Sequence, residues 1–406
     1  MITTDHLMID RRILQEAESL RDAGFVVEIL AGFECAQSSG YDHHGIPISR
    51  FVFDWSDARV ARILHSITAR TAWWWPYLWR GTRRAVSLAT GISSFEHFVL
   101  SHVMRREFDI LHVHDFPLLR VGAEVKKRRG CALVYDAHEL YHAQAQLPSA
   151  IRRRYRRLER KFIGAADLSI TVNPYIAGIM ARDYACKAPM VILNAAPQAP
   201  KIGKRDAELR QHFGIRSTDR VVLYQGWMSP ERGIDVLVKS ARHFPDDVRL
   251  VLVGYGACEA DLVSISRQQG TDDGRVLFLG RMEPKELSVL TAQADLGIIP
   301  YKAVDLNHLY CSPNKLFEYA VAELPFLAND LPYLREVVDT YGFGAIADLS
   351  TPESAAAAIV NVVRDDQRIS ELRAAARRAA ELLNWGVEGR KLVTAYGNIR
   401  RGERVH

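Results

Sequence analysis

Val221-Val222-Leu223-Tyr224 is a short apolar run that stops on Gln225-Gly226, and a polar turn and a helical pattern follow it. By itself it reads as a buried strand whose carboxyl end opens onto a glycine turn. The scheme repeats downstream at Leu250–Val253, Val276–Leu279, Leu296–Ile299 and Phe326–Ala328. It also runs upstream, at Val26–Leu30, Ile110–Val113, Ala132–Tyr135, Leu168–Val172 and Val191–Leu193. Buried strands alternating with helices make parallel α/β sheets, here two in succession. The expected architecture is therefore two Rossmann-like, doubly wound parallel-sheet domains, residues 1–195 and 205–384, facing a cleft. Ala195-Ala196-Pro197-Gln198-Ala199-Pro200-Lys201-Ile202-Gly203-Lys204 reads as the linker between them. A helical pattern begins at Trp385, and this C-terminal helix, over about 385–406, is expected to pack back on the first domain.

Open α/β sheets bind ligands beyond the carboxyl ends of their strands. Those positions hold His114-Asp115, Asp136-Ala137-His138-Glu139, Asn173, Gln225-Gly226, Gly254-Tyr255-Gly256, Gly280-Arg281 and Asn329-Asp330. The set is polar and rich in glycine, as a site for a polar ligand requires.

The chain has 406 residues, 48% of them hydrophobic, which suffices for two ordinary cores and excludes a disordered protein. Its five cysteines, Cys35, Cys131, Cys186, Cys258 and Cys311, contain no Cys-x-x-Cys pair. That argues against a disulfide framework or a thiolate zinc site, and for a reducing compartment. The sequence shows neither a signal-peptide pattern nor an apolar stretch of membrane-spanning length. The expected location is cytoplasmic, with attachment to the inner face of a membrane as the alternative.

Tyr310-Cys311-Ser312-Pro313-Asn314-Lys315-Leu316-Phe317-Glu318-Tyr319 carries the most functional information. Ser312 suits an N-cap, Pro313 suits the first helical position, and Leu316, Phe317 and Ala320 supply an apolar face. A cation in the first turn of a helix is mildly unfavourable unless it holds an anion jointly with the free backbone N–H groups. Lys315 is therefore compatible with a phosphate, and Glu318, one turn on, with vicinal sugar hydroxyls. An ordinary Lys315–Glu318 surface pair fits the spacing equally well.

Taken together, these segments resemble the retaining, nucleotide-sugar-dependent glycosyltransferases of the GT4 group, which have the GT-B fold. The likeness rests on Asp10-Arg11-Arg12-Ile13-Leu14, Phe108–Asp115, Val134–Leu140, Tyr224-Gln225-Gly226 with Glu231–Asp235, Leu252–Gly256 and the block from Ser312 to Pro332. It implies an enzyme moving a hexose-type sugar from a nucleotide diphosphate, UDP-linked by expectation, to a glycan, lipid-linked or small-molecule acceptor with retention of configuration. No cofactor and no metal are expected. By the resemblance Glu318 holds the nucleotide ribose, and Arg232 grips the diphosphate. Tyr310 stands where the family has a first glutamate, and Trp227 where it has a second arginine, for which Lys315 is the substitute. His138 corresponds to a histidine near the transferred hexose. The catalytic candidates are thus His138, Arg232 and Lys315. The donor-binding set adds Gly226, Gly254, Gly256, Arg281, Met282, Ser312, Asn314 and Glu318, and the acceptor side adds His114, Asp115, Asp136 and Glu139. Glu323 stands where the family has a glycine, at a helix end that favours a left-handed residue. Only Ile2-Thr3-Thr4 precede Asp5, where related chains place a central first strand, so the expectation is either a stub of that strand or a start lying upstream.

His112 and His114 project to one side of a strand, a geometry compatible with metal ligation or with a hydrogen-bonded pair. No further ligand cluster is evident in the sequence. Arg59 to Arg84 mixes arginines with Trp73-Trp74-Trp75, Tyr77 and Trp79, and Ile151 to Lys161 carries seven cations against one acid. Both suit an anionic membrane surface, or equally a solvated helix face and aromatics buried under a sheet. No nucleic-acid-binding motif accompanies them. A GT-B nucleotide-sugar epimerase and a non-catalytic nucleotide-sugar-binding protein are the rival functions.

Overall fold

The computed structural model describes residues 1–5, 8–32, 39–51, 93–198 and 207–402. The Arg59 to Arg84 segment with its tryptophans lies outside them. The chain divides into two compact units: Met1–His142, Leu147–Ile192 and Gly389–His406 form the first, and Ala143–Gln146 with Leu193–Glu388 form the second.

In the first unit the elements are α1 (Arg11–Asp22), β1 (Ile29–Ala31), β2 (Ser39–His43), β3 (Ile46–Arg50), α2 (Ser94–Val103), β4 (Ile110–His114), α3 (Phe116–Arg129), β5 (Ala132–Ala137), α4 (Ser149–Phe162), β6 (Leu168–Thr171), α5 (Pro174–Tyr184) and β7 (Met190–Val191). The strands β4-β5-β6-β7 run parallel in that order. Beside them, β1 pairs in parallel with β3, and β3 pairs antiparallel with β2. The antiparallel hairpin departs from the all-parallel expectation; β2 is exposed along most of its length and β3 buries only Ile46 and Ile48, so neither forms the continuous apolar run by which a buried strand is recognised. Ile2 bridges Leu30 on one side and Val113 on the other. Ile2 thus stands as a bridging residue between β1 and β4. Val26, read as strand, is fully exposed, and the strand begins at Ile29.

The second unit holds α6 (Ala207–His212), β8 (Arg220–Gln225), α7 (Ile234–Ser240), β9 (Val248–Val253), α8 (Glu259–Gln268), β10 (Val276–Gly280), α9 (Pro284–Gln293), β11 (Leu296–Ile299), α10 (Leu306–Leu309), α11 (Asn314–Val321), β12 (Phe326–Ala328), α12 (Pro332–Tyr341), β13 (Gly344–Ile346), α13 (Pro352–Val363) and α14 (Asp366–Ala380). The last helix, α15 (Trp385–Arg400), follows. Six parallel strands lie in the order β10-β9-β8-β11-β12-β13. This is the doubly wound arrangement, and its direction reverses between β8 and β11. Short β13 was not legible as a strand. Ala195 and Ala196, read as linker, are buried, and the Ala196 carbonyl accepts from the Trp385 N–H at 2.8 Å. Small side chains let that stretch pack where composition alone suggested a solvated connection.

Candidate active site

The reversal between β8 and β11 concentrates the second unit's candidates. Strand β8 ends in Tyr224 and Gln225, and the next residues form a glycine turn packed backbone to backbone against its neighbour. A Cβ at Gly254 would lie 2.0 Å from the Gly226 carbonyl oxygen, and one at Gly256 only 2.2 Å from that of Met228. Glycine at these two positions is required by the close approach, and both have positive φ.

Lys315 in α11 is buried, 4% exposed, and its Nζ has no hydrogen-bond partner. The Nζ lies 3.5 Å from the centroid of the Tyr224 ring and 4.9 Å from that of Tyr301. Arg232, on the short turn Pro230–Arg232, places its guanidinium carbon 4.1 Å over the same Tyr301 ring. Burial and then the neighbouring Arg232 charge pull the Lys315 ammonium well below its ordinary pKa. Glu318 accepts from Gln225 Nε2, and Gln225 Oε1 in turn accepts from the Thr291 hydroxyl at 2.8 Å. The carboxylate is thereby held beside the two cations. The surface-pair reading of Lys315 fails, because its side chain points inward.

Ser312 does not cap the helix. Pro313, at φ −72° and ψ 138°, occupies the cap position, and the helix starts at exposed Asn314. Pro313 takes the right φ for a first helical residue, but its extended ψ keeps it outside the helix. Arg281 stands at the end of β10 with its guanidinium carbon 5.4 Å from the Tyr255 ring, Tyr255 meets exposed Trp227 edge to face at 5.2 Å, and Met282 follows Arg281 half-buried.

Glu323 does adopt the left-handed position, at φ 54°. It also has a partner, Arg377, whose Nε and guanidinium nitrogen donate to Oε2 at 3.0 and 2.8 Å. An exposed pair of this kind contributes about 0–1 kcal/mol, close to the ~1 kcal/mol that glycine would recover. Glu323→Gly is therefore expected to shift stability by less than about 1 kcal/mol, as read by urea unfolding. A loss of several kcal/mol would show that the pair matters more.

The first unit gathers a buried polar network. Arg12 donates to both Asp136 oxygens, from Nε at 2.8 Å and from a terminal nitrogen at 3.1 Å, and to the Ile192 carbonyl at 2.6 Å. His138 Nε2 lies 3.1 Å from Asp136 Oδ2, and the His138 N–H donates to Asp115 Oδ1 at 3.0 Å. Burial opposes charge on His138, but Asp115 and Asp136 outweigh it and raise its pKa to about 10. Burial also disfavours the Asp136 carboxylate, yet Arg12 and His138 hold it well below the usual range. His114 approaches His138 Nε2 at 3.3 Å, and burial pushes its pKa down to about 4. Asp115 sits at φ 63°, a strained conformation for a non-glycine residue, and burial lifts its carboxyl to about 6. Glu139, half-buried on the same turn, adds negative charge beside it. The structure therefore brings His114, Asp115, Asp136 and His138 together around one imidazolium.

Arg12, Glu16 and Tyr396 were not singled out by sequence reasoning. Glu16 lies at i+4 from Arg12 on the face that also buries Ile13, Ala17 and Leu20. A charged pair on an apolar stripe is the signal that was available. His112 donates to or accepts from the Tyr396 hydroxyl at 2.8 Å. Contrary to the sequence reading, a wider ligand cluster does form: Glu16, His112, His114 and Asp136 offer atoms within 4.8 Å of one another. Within this cluster both Asp136 oxygens accept from Arg12.

Residues 205–382 match the family described as glycosyl transferases group 1, and residues 9–195 match the glycosyl transferase 4-like domain. A D-inositol 3-phosphate glycosyltransferase of Xylanimonas cellulosilytica is 24% identical over 315 residues, 72% of this chain and 73% of that protein. A phosphatidyl-myo-inositol mannosyltransferase of Mycolicibacterium smegmatis is 25% identical over 46% of this chain and 47% of its own. Among solved structures, sucrose-phosphate synthase from Thermosynechococcus elongatus superposes with TM-score 0.74 at 16% identity, over 99% of this chain and 98% of that one. Anabaena Alr3699/HepE, in complex with UDP and glucose, gives 0.72 at 17% identity, over 98% of both chains.

Proposed function

We propose, since this chain belongs to the GT4-type group 1 glycosyltransferases of GT-B fold, that it moves a hexose from a UDP-linked donor to a lipid-linked glycan at a membrane face, with retention of configuration. The observation that carries the donor half is the pair Arg232 and Lys315 at the sheet's reversal point, two cations sharing the Tyr301 ring, with the Lys315 ammonium lacking a hydrogen-bond partner. Departure of a nucleoside diphosphate puts negative charge on its oxygens. Arg232 offers a bidentate fork to those oxygens, Lys315 a point charge, and the first amides of α11 a dipole end. Glu318, fixed by Gln225, accepts from ribose hydroxyls. His138, charged and held by two aspartates, is a donor for an oxygen of the sugar or acceptor. The relatives named for inositol phosphate and phosphatidylinositol acceptors, and the Anabaena neighbour solved with UDP and glucose, support the same class.

The membrane half rests on α4. Its single acid, Glu159, is buried and accepts from the Tyr135 and Tyr184 hydroxyls at 2.7 and 2.6 Å. Arg153, Arg154, Arg156, Arg157, Arg160 and Lys161 are left exposed, and Arg156 meets Asp183 at 3.1 Å. No helix among the described residues is long and apolar enough to cross a membrane. Each cation near anionic lipid contributes about 1 kcal/mol. Replacing Arg153, Arg154, Arg156 and Arg157 by Ser is expected to abolish flotation with vesicles rich in phosphatidylserine at low salt, leaving donor hydrolysis near the parent level. Equal flotation of the two proteins would return these arginines to a solvated helix face.

The donor assignment is tested by measuring hydrolysis and thermal stabilisation with UDP-, GDP- and dTDP-sugars. Stabilisation and slow hydrolysis with a UDP-sugar are expected. A response to GDP- or dTDP-sugars alone would overturn the base assignment, and none at all would overturn the reading of the site.

A further inference from the structure

We infer that Tyr224 and Tyr301 are positioning residues of the anion grip, their ring faces holding the Arg232 and Lys315 side chains in place of a carboxylate; the inference rests on the diphosphate reading above.

A buried ammonium normally finds an anion or several hydrogen-bond acceptors, because an unpaired buried charge is costly. Lys315 Nζ finds no acceptor. What it does find is the Tyr224 face at 3.5 Å and the Tyr301 ring at 4.9 Å. Arg232 stands 4.1 Å from that Tyr301 ring. Aromatic faces carry negative quadrupole but no formal charge, so they attract a cation without neutralising it. A carboxylate in their place would satisfy both cations and compete with the incoming anion. The rings thus keep two like charges close together and leave both available.

The rings are themselves fixed. Tyr224, fully buried at the end of β8, donates from its hydroxyl to the Trp227 carbonyl at 2.7 Å. Tyr301 follows β11, is 4% exposed, and its carbonyl accepts from Asn329 Nδ2 at 3.1 Å. The two strands carrying them are the neighbours at the reversal of the sheet. The nearby Glu318, which could otherwise draw the ammonium away, is engaged by Gln225.

The test grades the ring face at constant shape. Starting from Tyr301→Phe, the ring at position 301 is fluorinated stepwise, which weakens its quadrupole with little change in volume. Affinity for UDP and for inorganic pyrophosphate is read by calorimetry at each step, alongside thermal unfolding of the free protein. Affinity for both probes is expected to fall progressively, by about tenfold across the series, with unfolding temperatures nearly constant. A flat series would overturn the inference, as would losses that track unfolding temperature. Pyrophosphate needs no base recognition. Binding of pyrophosphate with the expected slope, without binding of UDP, would uphold the ring inference and sink the UDP reading. Binding of neither probe would overturn both.

Discussion

Lys315→Met is expected to weaken UDP binding about 5- to 150-fold, the effect of losing one charge-assisted contact of about 1–3 kcal/mol, while making the nucleotide-free protein more stable. The two effects have one cause. Lys315 is buried without a hydrogen-bond partner and beside Arg232, so its charge costs stability in the absence of an anion. Methionine fills similar space without the charge. The pH dependence follows from the lowered pKa. Below the folded-state value both folded and unfolded chains carry the proton, and the folded state bears the full cost. As pH rises from there toward the ordinary 10.5, the folded chain releases its proton first, and stability recovers. The advantage of Lys315→Met should therefore shrink on going alkaline. Calorimetric binding and urea unfolding across pH check both parts. Unchanged UDP affinity would remove Lys315 from the grip, and lower stability of the variant would show an unrecognised partner.

Asp136→Asn is expected to destabilise the protein by about 3–5 kcal/mol, because it takes from buried Arg12 the carboxylate that accepts from it twice and leaves it the Glu16 carboxyl, which burial pushes toward the neutral form. It also removes one of the two carboxylates that keep His138 charged. His138 has its pKa raised from 6.5 to about 10, so the stability it contributes is fully present below pH 6.5 and is lost as pH rises through about 10. In Asp136→Asn that alkaline loss should be smaller. Urea unfolding near pH 6, 8 and 10 separates the two effects. A cost under about 1 kcal/mol, or an alkaline loss as steep as the parent's, would show that the network is held together some other way.

The second sheet was legible strand by strand from Val221 to Ala328. The central strands β8, β9, β11 and β12 are buried almost throughout and therefore show as short apolar runs. Arg232, Lys315 and Glu318, the residues proposed to meet the diphosphate and ribose, stand in the turns after those strands or in the helix that follows, which is where sequence position pointed to ligand contacts. The hairpin of β2 and β3 was not legible, because β2 is exposed and polar along most of its length and β3 buries only two residues, so neither carries a continuous apolar run. The cap at Pro313 was not, because the choice between cap and first turn depends on ψ, and a proline's ring fixes only φ.

Local pattern, then, determined the parallel strands of the two units apart from β13, and the chemical type of each residue beyond a strand end, but not the β2–β3 hairpin. Tertiary structure alone decided which of those residues meet. Tyr224 and Tyr301 are 77 positions apart in sequence, and they adjoin only because β8 and β11 pair where the sheet reverses. Arg12 reaches Asp136 across 124 positions through the packing of α1 on the sheet. Periodicity reports which face of an element is buried, whereas charge pairing depends on distances between elements, and a sequence pattern carries no distance.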